Sequence, residues 1–127
     1  MKKTVTIFFV LITIYELWSQ KVTHTCEDYT NIKGHCIVKS NNKFGIMKAK
    51  QVLVIPIEFD TLYEYSYADN SYVNSYYIVR INNKYGVYDK NGKQLITPLY
   101  DKIEIVFDEK LNQDIFYLTH GSKRIIA

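Results

Sequence analysis

The hydrophobic positions of this chain fall into short runs separated by polar pairs. CIVKS (Cys36 to Ser40) and YIVRI (Tyr77 to Ile81) are β-branched runs bounded by polar residues, which predicts strands. Asn-Asn follows each run. Asn tolerates positive φ better than other non-glycine residues, so two-residue hairpin turns are expected at Asn41-Asn42 and Asn82-Asn83. The next strands open on an aromatic–Gly step, Phe44-Gly45 and Tyr85-Gly86. The ring can pack on a core, while the Gly lets another backbone approach or lets the strand bulge. A second turn follows. Asp89-Lys90-Asn91-Gly92 carries the strong Asn-Gly hairpin signal, whereas Lys48-Ala49-Lys50-Gln51 has lost the Gly. The strands VLVI and KQLI come next and are expected to end near Pro56 and Pro98, since proline cannot donate within a ladder. Phe59-Asp60 and Tyr100-Asp101 close the unit, with each Asp placed to bond nearby backbone N–H groups.

These two stretches are copies. Residues 36–62 laid over residues 77–103 at a constant offset of 41 give eight identities in 27 positions, with no gap. Ile37/Ile78, Val38/Val79, Asn41/Asn82, Asn42/Asn83, Lys43/Lys84, Gly45/Gly86, Ile55/Ile96 and Asp60/Asp101 are the identical pairs. FYLTHGSKRIIA (Phe116 to Ala127) opens a third copy if two residues are dropped. Gly121-Ser122 then takes the turn and Arg124-Ile125 replaces the aromatic–Gly pair, as suits a terminal cap. The copies lie near 36–75 and 77–115, with a partial copy at 116–127. The expected fold is all-β: antiparallel hairpin repeats in a meander, forming a short solenoid-like or partly closed sheet. Two full repeats are fewer than the three a stable array usually needs. Either the partial units complete the core or the chain pairs with a second copy as a homo-oligomer.

KYGVYDKNGKQLITPLYDKI (Lys84 to Ile103) resembles the bacterial WG-repeat family closely, and KFGIMKAKQVLVIPIEFDTL (Lys43 to Leu62) resembles it less well. The family pattern runs aromatic–Gly–aliphatic, a polar turn, an aliphatic strand, Pro, then Tyr-Asp. Phe44 and Tyr85 stand where the family has tryptophan, and Gln51 where it has the turn Gly. The resemblance implies repeated β-hairpins over most of residues 35–127 and an interaction surface. It implies structural roles for Phe44, Gly45, Asp60, Tyr85, Gly86, Asn91, Gly92 and Asp101, and it implies no reaction.

The start of the chain changes the picture of where the protein works. Lys2-Lys3, the 12-residue run Thr4 to Tyr15, and Ser19 follow the order of a secretory signal peptide, with cleavage expected after Ser19. The run is shorter than the roughly 20 apolar residues a spanning helix needs. Removing residues 1–19 leaves 14 basic and 12 acidic residues, interspersed, so no nucleic-acid footprint stands out. Residues 20–34 read as an N-terminal extension. The expected location is the periplasm or the exterior. There the pair Cys26 and Cys36 reads as a disulfide, against the alternative of two free buried thiols.

Candidate chemistry is sparse. His24, Cys26, His35 and Cys36 are residue types that zinc accepts, but their spacing matches no common zinc motif. Adjacent strand residues point to opposite faces, so His35 and Cys36 can form neither a metal grip nor a nucleophile–base dyad. No cofactor or metal is expected. Tyr63, Tyr65 and Tyr67 alternate and so share one face of a strand. Such a row could bind sugars or a protein partner, or stack on a neighbouring repeat. The expected function is a non-enzymatic interaction or structural module at the cell envelope. The alternative is a small envelope enzyme or glycan-binding protein with a site assembled across the fold.

Overall fold

The computed structural model describes residues 24–69 and 72–127, with side-chain surroundings for 24–66 and 75–127. The signal peptide expected at residues 1–19 lies outside the described residues. The described residues form eleven strands in chain order. The first sheet holds β1 (Cys26–Tyr29), β2 (Cys36–Ser40), β3 (Lys43–Lys48) and β4 (Val52–Phe59), in that spatial order. The second holds β5 (Thr61–Asp69), β6 (Tyr72–Ile81), β7 (Lys84–Asp89) and β8 (Gln94–Tyr100). The third holds β9 (Lys102–Asp108), β10 (Gln113–His120) and β11 (Lys123–Ile126). Every pairing is antiparallel between chain neighbours, so each sheet is a meander and none is closed.

The repeat sets this geometry residue by residue. Asn41, Asn42, Asn82 and Asn83 all carry positive φ, so both hairpins turn through two left-handed residues as a type I′ turn requires. Gly121 supplies the positive φ of the third turn. The ladders slip at Gly45 between Phe44 and Ile46, and at Gly86 between Tyr85 and Val87. A Cβ at Gly45 would stand 2.7 Å from the Ile55 carbonyl oxygen, and one at Gly86 would stand 2.7 Å from that of Ile96. Bulge and close approach therefore occur together.

The prolines do not end their strands. β4 runs through Pro56 to Phe59, and β8 through Pro98 to Tyr100. Both are the last strand of their sheet, and an edge strand tolerates a missing N–H on its unpaired side. The sheets break instead at Asp60 and Asp101, one residue each between consecutive strands. β1 also lies within the stretch read as an extension, and it pairs with β2 as part of the first sheet.

Each sheet packs on the next. β3 and β4 lie against β5 and β6, and β7 and β8 against β9 and β10. We call the face toward the preceding sheet the leading face and the other the trailing face. Ile46, Ile55 and Phe59 on the first sheet's trailing face meet Leu62, Tyr77, Val79 and Tyr88 on the second sheet's leading face in one buried cluster. Phe59 and Tyr88 meet edge to face at 5.7 Å, a favourable aromatic geometry. Between the second and third sheets, Tyr76 meets Phe116 edge to face at 5.3 Å.

Candidate functional site

The two Asp corners have the same build. The Asp60 N–H donates to the Arg80 carbonyl, and its carboxylate accepts from the Asn82 N–H and the Lys43 ammonium. The Asp101 N–H donates to the Thr119 carbonyl, and its carboxylate accepts from the Gly121 N–H and the Lys84 ammonium. Each Asp thus fastens the end of one sheet to the hairpin turn of the next. The lysine bonds and these backbone N–H bonds hold both carboxyls below the usual carboxylate range. The groups are bonded within the scaffold, which is a structural arrangement rather than an acid–base pair.

The second turn differs between copies. Gly92 has φ +86°, and a Cβ there would lie 2.2 Å from the Val54 carbonyl oxygen of the first sheet. The Asp89 carboxylate accepts from the N–H groups of Asn91 and Lys93. In the first copy Lys50 and Gln51 both take positive φ, and the Gln51 amide oxygen accepts from the His24 N–H.

Cys26 and Cys36 are joined by a disulfide, with Cα atoms 5.6 Å apart. It ties β1 to β2 on the first sheet's leading face, beside buried Val38 and Met47. His35 points to the trailing face, where Nδ1 lies 2.9 Å from the Tyr77 hydroxyl. Thr30 Oγ1 lies 3.3 Å from the same hydroxyl. Burial, then the Lys48 charge, lowers the His35 pKa, and Glu64 opposes them. Burial raises that of Tyr77. Among the described residues no group of three His, Cys, Asp or Glu side chains is placed to hold a metal ion. None of their helices is long and apolar enough to cross a membrane.

The tyrosines of β5 divide. The Tyr65 hydroxyl donates to the Ile105 carbonyl at 3.2 Å, fastening β5 to β9. Tyr63 stands 48% exposed. The side chain of Tyr67 lies outside the described residues. Tyr63 shares a cleft of about 270 Å³ with Tyr85, Asp101, Lys102 and Ile103, at the corner between the second and third sheets. Burial, and then the neighbouring Tyr85 phenol, push the Tyr63 pKa upward.

The aromatic–Gly steps, bulges and Asp corners recur where the family model for the WG containing repeat matches, at residues 44–85 and 85–110. The chain belongs to the WG containing repeat family. No curated protein and no solved structure matches it. A WG repeat here runs from one aromatic–Gly step to the next and so crosses from one sheet into the following one. Its motif residues are spent on folding: Phe44 and Tyr85 in the strands, Gly45 and Gly86 at close approach, Asp60 and Asp101 at corners. Sequence reasoning did not single out the Tyr63–Tyr85–Lys102 corner or the bond between His35 and Tyr77. A signal for the corner was present, because Tyr85 stands where the first copy has Phe44, and Lys102 where it has Thr61.

Proposed function

We propose that this WG-repeat protein is exported and acts, without catalysis of its own, as an interaction module at the cell envelope. The leader pattern of residues 1–19 supports export. A disulfide between Cys26 and Cys36 suits an oxidising compartment. The observation that carries the interaction role is the half-exposed Tyr63 beside Tyr85, in a cleft at the corner that Asp101 fastens. An amphipathic tyrosine offers apolar area with a polar tip, the combination enriched at recognition surfaces. The partner is a protein or envelope material that meets this corner.

The test is photo-cross-linking in the producing cells. A photoreactive phenylalanine analogue replaces Tyr63 in one strain and exposed Leu111, outside the cleft, in another. Adducts specific to position 63, in protein whose N-terminus begins at Gln20, are expected. Protein retained in the cytoplasm with its leader, or equal labelling from both positions, would refute the reading.

A further inference from the structure

We propose that the corner cleft between the second and third sheets is a subsite for one pyranose ring of a glycan. This rests on the interaction reading above and names the ligand class of that same surface.

The cleft is small, at about 270 Å³. Pockets for drug-sized ligands run from roughly 300 to 1,000 Å³, so it has room for a single ring. Two of its walls are phenols. Neither hydroxyl, of Tyr63 or of Tyr85, is bonded to another described residue. Each can donate one hydrogen bond and accept others. Behind Tyr85, Arg80 sits directly across the β6–β7 ladder and therefore on the same face. Its Nε is a buried donor with no hydrogen-bond partner among the described residues.

The charges already in the cleft indicate a neutral ligand. Asp101 is bonded to Lys84 and the Gly121 N–H, and Lys102 is paired with Glu104 at 2.7 Å. The Asp101 carboxylate and the Lys102 ammonium each have a partner of opposite sign, so neither stands bare for an ion. A pyranose has an apolar C–H face that packs on an aromatic ring and a rim of hydroxyls that donate and accept. Tyr63 and Tyr85 supply the complementary surface.

The equivalent corner between the first and second sheets is the internal control. There Phe44 replaces Tyr85 and Thr61 replaces Lys102, while Lys39 replaces Arg80 and lies over the Phe44 ring at 5.4 Å. The same fold position is thus furnished once without the phenol and once with it.

Saturation-transfer NMR of the full chain with cellotriose, chitotriose and maltotriose tests this. Transfer to ring C–H protons of at least one sugar is expected. Tyr85→Phe keeps the ring, as Phe44 does in the first copy, and removes one hydroxyl; about a fivefold loss of affinity is expected. Tyr63→Ala removes a wall and should cost about tenfold. No transfer to any of the three sugars overturns the inference, as does binding unchanged in both variants with their circular dichroism intact. If sugars fail while cross-linking from position 63 persists, the glycan is wrong and the interaction module stands.

Discussion

The leading faces of the first and second sheets are built from equivalent positions and held in different ways. Tyr77, Val79 and Tyr88 on the second sheet correspond, at the offset of 41, to Cys36, Val38 and Met47 on the first. Leu62 faces Val79 across its ladder as Cys26 faces Val38. The second face is buried against another sheet. On the first, the Leu62 and Tyr77 positions are cysteines joined to each other. Position alone therefore does not choose the residue. The second sheet's leading face takes large rings against the first sheet, and the first sheet's leading face takes a covalent staple.

Breaking the contact between sheets should have the largest effect. Gly92→Ala drives a Cβ into the Val54 carbonyl and adds left-handed strain, so it should cost about 2–4 kcal/mol. Gln51→Ala at the equivalent position already has a side chain at positive φ and should cost under about 1 kcal/mol. Urea denaturation of both variants checks the ordering. Cutting the staple comes next. Replacing Cys26 and Cys36 by serine, or reducing them, should lose roughly 3 kcal/mol or less in the chain-entropy model for so short a loop. Paired denaturation curves with and without reductant measure it, and the Cys-to-Ser variant should show no reductant effect.

Removing one hydroxyl is a smaller change. Tyr77→Phe loses the bonds to His35 and Thr30 and should cost about 1 kcal/mol. Phe116 stands at the corresponding place in the third sheet, against Tyr76 as Tyr77 is against His35, so the ring itself is tolerated. The pH dependence sharpens the same comparison. Burial depresses the His35 pKa, so the unfolded chain binds more protons below about pH 6.5. Stability from this site is complete above that pH and is lost as pH falls through the depressed value. Asp60 and Asp101 are also depressed, by their lysine and backbone bonds, and their contributions are lost only in stronger acid, below the ordinary carboxylate range. His35→Gln should flatten the mildly acidic limb of a stability–pH curve, and Asp101→Asn the more acidic limb.

Much of the fold was legible because it is local. Asn-Asn turns, the Asp89 turn and the aromatic–Gly bulges depend on residues within a few positions of each other, and the 41-residue offset repeats them in register. The departure of the third copy from the aromatic–Gly pattern also has a visible consequence. Arg124, at the Tyr85 position, lies over the Tyr117 ring at 4.3 Å and pairs with Glu104 on the trailing face of the third sheet. The prolines misled because edge or centre is a property of the sheet, which no short window contains. The cleft was hidden for a related reason. Tyr63, Tyr85 and Lys102 come from three strands in two sheets, and only the Asp101 corner brings them together. Tyr65 shares a face with Tyr63 by alternation, but its bond to Ile105 depends on where β9 lands.

The central claim is that the repeat is scaffold and that recognition lies where its copies differ. The double variant Tyr85→Phe/Lys102→Thr gives the second corner the Phe44 and Thr61 of the first. Its sugar affinity, read by saturation-transfer NMR beside a thermal melt, is the most direct test. The account predicts an unfolding midpoint within a few degrees of the parent and sugar binding reduced about fivefold or more. Binding equal to the parent's, on a fold that melts normally, would contradict it.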